Sequence, residues 1–172
     1  MNSELLTEVG GAELVDELEP LWLTLLAHHA EVRPDLAVQD PGLSWQTRRS
    51  WYLTWLFDPD SFVVIARYEH QPVGYALVEV ADGPDDTWRT GRRVATLQSL
   101  SVAPQWRGRG IGGGLVDRVD AELAGRGIGD VFLDVVLGND GARRFYERRG
   151  FAPTTMRLAR LGRRTHPRRW GS

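Results

Sequence analysis

Between residues 99 and 119 the chain reads SLSVAPQWRGRGIGGGLVDRV. Glycine stands at 108, 110, 112, 113 and 114, and arginine at 107 and 109. These residue types at this spacing suit the binding of an anion. Glycine removes side chains where phosphate oxygens must approach the backbone. The N–H groups and positive dipole end of a helix starting there favour negative charge. The two guanidinium groups add forked donors matched to phosphate. Five glycines in seven positions flanked by arginine are more than a plain connection requires.

The identity of the anion is open at this level. Gly108, Gly110 and Gly113 match GxGxxG literally, and Asp134 follows about 20 residues on, as in a dinucleotide-binding site. Against that reading, the preceding strands pair as hairpins, and too little chain follows for the second half of such a fold. A Walker A loop is excluded, because no Gly-Lys-Ser/Thr occurs. There is no cysteine, which removes disulfides, thiolate metal sites and a thiol nucleophile. All 21 basic residues are arginine, so no side-chain amine is available for Schiff-base chemistry. His28 and His29 are adjacent and point to different helix faces, His70 and His166 are isolated, and no metal is expected.

Elements must position these groups. ELLTEV (4–9) predicts a first strand, and residues 12–31 a helix divided or kinked at Pro20. Residues 45–57 predict a second helix capped by Ser44 and bearing Trp45, Trp51, Tyr52 and Trp55. The pattern then changes to strands at 61–68, 72–80 and 93–102, the first two joined as a hairpin through EHQP. An amphipathic helix follows at 111–125, with Ile111, Leu115, Val119 and Leu123 on one stripe. A buried strand is expected at 130–137, a short helix at 140–149 ended by Gly150, and a last strand or hairpin at 151–161. The order is β-α-α-β-β-β-α-β-α-β: antiparallel strands lead and a βαβ unit follows, which is an α/β sandwich on a mixed sheet.

With the turn placed between strand and helix, Gln105-Trp-Arg-Gly108-Arg-Gly110 resembles the signature Gln/Arg-x-x-Gly-x-Gly/Ala of the GNAT superfamily of N-acetyltransferases. Downstream, Asn139-Asp-Gly-Ala142-Arg-Arg-Phe145-Tyr146-Glu-Arg-Arg-Gly150-Phe151 resembles the family's second motif, N-x-x-A-x-x-F-Y-x-x-x-G-F. The two motifs and their separation cover residues 93–152. Residues before about 90 match the family only in their order of elements.

The resemblance implies a mixed, mostly antiparallel sheet of six to seven strands with about four helices. It implies one acetyltransferase domain over 1–160, followed by an arginine-rich tail over 161–172. It implies acetyl-CoA as donor, held by Gln105, Arg107, Gly108, Arg109, Gly110, Ile111 and Gly112 at the pyrophosphate. Leu100 and Val102 would offer backbone bonds to the pantetheine arm, and Asn139 and Arg143 would add contacts. Asn139 also fits a helix N-cap. Tyr146 corresponds to the family's acid, which protonates the leaving thiolate, although it could equally pack beside Phe145 and Ala142. Many members carry an acid in the fourth strand near Gln98, and glutamine cannot accept a proton. Glu79 and Asp134 therefore remain as candidate bases. Asp134, expected in mid-strand, could bind the acceptor's ammonium, relay its proton or pair with an arginine.

The acceptor implied is a small-molecule or peptide amine. Trp45, Trp51, Trp55 and Trp88 could wall its pocket, or Trp51 and Trp55 could serve the core. Glu31, Asp35, Glu79, Asp82, Asp85, Asp86 and Asp134 are available to the rim, and would favour a cationic amine. Residues 1–40 carry nine acids against Arg33, and residues 141–172 carry ten arginines against Glu147. Two rival functions follow: a CoA-binding fold without catalysis, and a nucleic-acid module using Arg157, Arg160, Arg163, Arg164, Arg168 and Arg169. The net charge of −2 and a pI of about 6.1 speak against the second. No apolar run reaches membrane length, and the acidic first residues lack a secretory pattern, so a cytoplasmic protein is expected, with a homodimer left open.

Overall fold

A computed structural model describes residues 5–162. The expected tail from 163 onward, including His166 and four of its arginines, lies outside the described residues, as does Glu4 of the expected first strand. The chain divides into two compact units, one ending at Asn139 and one beginning at Asp140.

The first unit is built on a five-stranded sheet in the order β1-β2-β3-β4-β5. The strands are β1 (Leu5–Gly10), β2 (Phe62–Tyr68), β3 (Gln71–Asp82), β4 (Arg93–Val102) and β5 (Val131–Leu133). The first four pair antiparallel with their neighbours, and β5 pairs parallel with β4. The β2–β3 hairpin turns on Glu69 and His70, both with positive φ, as a two-residue turn of matching twist requires.

Alternation along β2 and β3 assigns the two faces. Val63, Ile65, Tyr75 and Leu77 enter a core with Leu14, Leu18, Leu21, Trp22, Trp45 and Tyr52. These come from a 3₁₀ turn (Ala12–Leu18) and from helices α1 (Glu19–Val32) and α2 (Pro41–Trp55). Pro20 falls in the first turn of α1, where its missing N–H costs nothing, and so the helical run is divided there. Asp40, not Ser44, caps α2: its carboxylate accepts from Leu43 N at 3.0 Å. Ser44 is instead buried and accepts from Trp22 Nε1 at 3.0 Å.

The opposite face of the sheet receives α3 (Ile111–Gly125), whose Ile111, Leu115, Val116, Val119 and Leu123 are buried. Gly74 of β3 permits this approach. A Cβ there would meet Ser101 O at 3.1 Å, Leu115 Cδ1 at 3.2 Å and Ile111 Cγ2 at 3.3 Å.

Two expectations fail. The strand expected over 130–137 is only three residues long and half-buried, because it is the edge strand and pairs on one side only. Residues 151–162 carry no regular secondary structure, so the sheet has five strands among the described residues, not six or seven. A β-rich segment becomes a strand only when a neighbour takes up its backbone hydrogen bonds. The second unit contains α4 (Asp140–Glu147), and Gly150 follows at φ +88°.

Candidate functional site

Strand β4 ends at Val102 and the chain turns sharply. Ala103 N donates to Val73 O at 2.9 Å, Trp106 N to Ala103 O at 2.8 Å and Arg107 N to Pro104 O at 3.2 Å. The Trp106 ring packs on Tyr68, with centroids 4.5 Å apart, and carries the Arg109 guanidinium 4.8 Å from its own centroid. Gly108 (φ +73°) and Gly110 (φ +81°) then take left-handed conformations that a side chain would strain. A Cβ at either would meet nothing within 4 Å, so this backbone borders open space. Gly110 is the N-cap of α3 and brings no side chain to it. The first helical hydrogen bond is Gly114 N to Gly110 O, at 2.9 Å. The preceding N–H groups of Ile111, Gly112 and Gly113 therefore point outward from the positive end of the helix dipole. Arg107 is committed in part, since its Nε donates to Val102 O at 3.1 Å.

Beside the turn, β4 leaves its neighbour. Its parallel pairing with β5 runs from Ala95↔Val131 to Leu97↔Leu133 and stops, while β4 continues to Val102. The bond from Ala103 N to Val73 O fixes which groups face which side. In an antiparallel ladder alternate residues bond across it and the others point away. Gly74↔Val102 and Ala76↔Leu100 are the outward pairs, so the N–H and C=O groups of Leu100 and Val102 face the side where β5 has ended. At that divergence Gln98 is an extra residue in the ladder, between Leu77↔Ser99 and Val78↔Leu97. Such bulges re-aim side chains. Here Gln98 Nε2 donates to Glu79 Oε2 at 2.6 Å.

Asp134 departs from expectation. It follows the end of β5 and is exposed, so it carries none of the desolvation of a mid-strand acid. Several other acids expected at an acceptor rim are already engaged. Arg33 donates to Asp35 at 2.6 and 2.8 Å, and Arg93 to Asp82 at 2.8 Å. Asp85 accepts from the backbone of Thr87 and Trp88, and Glu31 lies 3.6 Å from His28. Of the tryptophans, Trp45 is in the core, whereas Trp51 and Trp88 are 48% and 47% exposed. Among the described residues no cluster of three or more potential metal ligands occurs, and no helix is long and apolar enough to cross a membrane.

In the second unit, Tyr146 lies on α4 between Phe145 and Phe151, with ring centroids 5.1 and 5.7 Å away. Burial pushes its phenol up to about 12. Arg143 is held by its own helix, donating to Glu147 at 2.9 Å with Asp140 at 3.6 Å. Asn139 directly precedes α4, and its N–H donates to Val136 O at 2.9 Å.

A sequence model of the acetyltransferase (GNAT) family matches residues 27–151, a span that holds the turn, the diverging strand and α4. The chain belongs to the GNAT acetyltransferase family. An uncharacterized N-acetyltransferase of Methanocaldococcus jannaschii is 36% identical over 106 residues, covering 59% of this chain and 44% of that protein. The chain thus matches less than half of that relative's length. An uncharacterized N-acetyltransferase of Mycobacterium tuberculosis is 33% identical over 123 residues, 72% of this chain and 70% of that protein. The crystal structure of a GCN5-related N-acetyltransferase from Ralstonia eutropha superposes with a TM-score of 0.73 at 21% identity, over 92% of this chain and 99% of that one. That likeness bears on the fold.

Two groups stand outside the sequence-based expectations: Trp106 anchors the turn, and Arg48 lies among the aromatic rings of α1 and α2. Of these two, only Arg48 had a sequence signal, its spacing of three and four residues from Trp51 and Tyr52. Gln98, expected only as a position that cannot accept a proton, occupies the bulge.

Proposed function

We propose that this chain transfers an acetyl group from acetyl-CoA to a primary amine, by direct attack of the amine in a ternary complex. The observation that carries this reading is the turn itself. Its left-handed glycines open onto free space at an uncapped helix N-terminus, next to a strand whose outward backbone groups have lost their neighbour. These features fit the donor's chemistry: a pyrophosphate needs converging N–H groups, and an amide-bearing arm needs strand-like partners.

Backbone N–H groups from Gly108 to Gly112 hold the pyrophosphate, with Gln105, Arg107 and Arg109 alongside. Leu100 and Val102 bond the pantetheine amides, and Asn139 and Arg143 contribute from the motif that contains them. Arg143 must exchange Glu147 for a ligand oxygen to do so. The donor supplies an activated thioester carbonyl. Tyr146 is assigned the proton donor to the leaving thiolate, a role for which a neutral phenol is suited. Glu79, which accepts from Gln98 Nε2, is assigned the base, with Asp134 as the alternative. Residues 1–160 act as one acetyltransferase domain.

Calorimetric titration with acetyl-CoA tests the site. The expected result is binding that Gly110→Asp abolishes by setting a carboxylate against the pyrophosphate. Equal binding by a folded Gly110→Asp variant, or tighter binding of NADH than of acetyl-CoA, would refute the assignment.

A further inference from the structure

Among the described residues of the first unit, Arg48 is a partly buried cation with no carboxylate partner. Arg48 of α2 lies with its guanidinium carbon 4.1 Å from the centroid of Trp22, 5.1 Å from that of Trp51 and 5.7 Å from that of Tyr52. Its Nε is buried and has no hydrogen-bond partner, and no carboxylate pairs with it among the described residues. This is unusual in a molecule whose other partly buried arginines are well matched. Arg67 bonds Glu8 and Glu17, Arg93 bonds Asp58 and Asp82, and Arg126 bonds Glu122. The neighbouring titratable groups offer no compensation. His29 is held neutral, its pKa lowered first by burial and then by His28 and Arg48. The hydroxyls of Tyr52 and Tyr75 stay protonated because burial raises both.

Three rings surround the guanidinium carbon at 4.1–5.7 Å, and a guanidinium held against rings by its face keeps its in-plane N–H groups for hydrogen bonds. Tyr52, one turn further along α2, bonds Ser99 at 2.5 Å, and Ser101 donates to Leu21 O of α1 at 2.8 Å. Both serines belong to the stretch of β4 that has lost β5. Arg48 therefore stands about one helical turn, roughly 5 Å, from the residue that joins α2 to that stretch.

We infer that Arg48 receives a carboxylate of the amine acceptor, so that the acceptor class is amines bearing a carboxylate, with amino acids as its simplest members. The inference rests on the acetyltransferase reading above. A partly desolvated guanidinium gains most from a bidentate carboxylate, and an acceptor without one leaves it unpaired.

The test is thiol release from acetyl-CoA with matched acceptors: each proteinogenic amino acid against its carboxamide, and dipeptides with and without an acidic side chain. Arg48→Met, Arg48→Gln and Arg48→Lys are measured beside the parent, with acetyl-CoA titration and thermal unfolding on each. The expected result is a kcat/KM for carboxylates about 10–100-fold above that for carboxamides, lost in Arg48→Met and Arg48→Gln and partly kept in Arg48→Lys. The dipeptide arm tells a free amino acid from an acidic peptide as the source. Turnover of carboxamides as good as that of acids, turnover of no carboxylate-bearing amine while acetyl-CoA binds, or a preference that survives in a folded Arg48→Met overturns the inference. Failure of the parent to bind acetyl-CoA removes the reading beneath it instead.

Discussion

At the scale of single residues, the consequential assignment is Tyr146. A phenol with an ordinary pKa of about 10 lies close to a thiolate of about 8.5 and so suits donation to a departing thiolate. Burial raises its pKa to about 12, which keeps the proton in place across the whole neutral range. Tyr146→Phe is expected to lower kcat by about 10²–10⁴-fold with little change in acetyl-CoA affinity. An unchanged kcat would return Tyr146 to packing between Phe145 and Phe151. Ionisation of Tyr146 should not appear in the kcat–pH profile until the pH nears 12.

A second residue-level test concerns the buried hydroxyls. Tyr52 Oη lies 2.8 Å from Tyr75 Oη and 2.5 Å from Ser99 Oγ. Tyr52→Phe keeps the ring and strands two partners, and should cost about 1–3 kcal/mol in urea denaturation. A cost near zero would mean that Tyr75 and Ser99 re-pair with each other.

Among the elements, the contact between β3 and α3 sets the position of the anion turn. Ile111 and Leu115 occupy the space that a side chain at 74 would need, and Ile111 is the first residue of α3. Gly74→Ala should therefore displace the helix N-terminus along with its N–H groups. The expected outcome is a loss of about 1–3 kcal/mol of stability together with weaker acetyl-CoA binding. Denaturation and calorimetry on the same variant check this coupling. Lost stability with unaltered affinity would show that the turn is set by Trp106 and its neighbours, independently of the packing beneath it.

For the whole molecule, the clearest pH response lies on the alkaline side. Tyr52, Tyr75 and Tyr146 all have folded-state pKa values above the ordinary tyrosine value of about 10, chiefly through burial. A group whose pKa is raised by folding contributes stability that is complete below its unfolded pKa and is lost as pH rises through the folded one. Unfolding free energy should hold steady to about pH 9 and fall steeply from about pH 10 toward 12. Urea titrations across that range measure it, and a flat curve would contradict the burial of these phenols.

The motifs at 105–110 and 139–151 were legible in the sequence because the chemistry is local. Left-handed turns demand glycine at particular positions, and a helix start follows within a few residues. Hydrophobic period likewise placed β2, β4 and α3 nearly to the residue, since each buries a regular stripe. Other features depended on neighbours distant in the chain. Ser44 is a natural cap by type, but Trp22 claims its hydroxyl, and Asp40 takes its place. Residues 130–137 and 151–161 look equally strand-like, yet a ladder needs a partner, and only Val131–Leu133 finds one. The bulge that turns Gln98 onto Glu79 is a property of two strands in register, invisible in either alone. Charge followed the same rule. The sequence by itself determined how many acids the chain carries, but the tertiary structure decided which arginines they meet, and so left Arg48 without one among the described residues. Pairing depends on proximity across the fold, which composition does not encode.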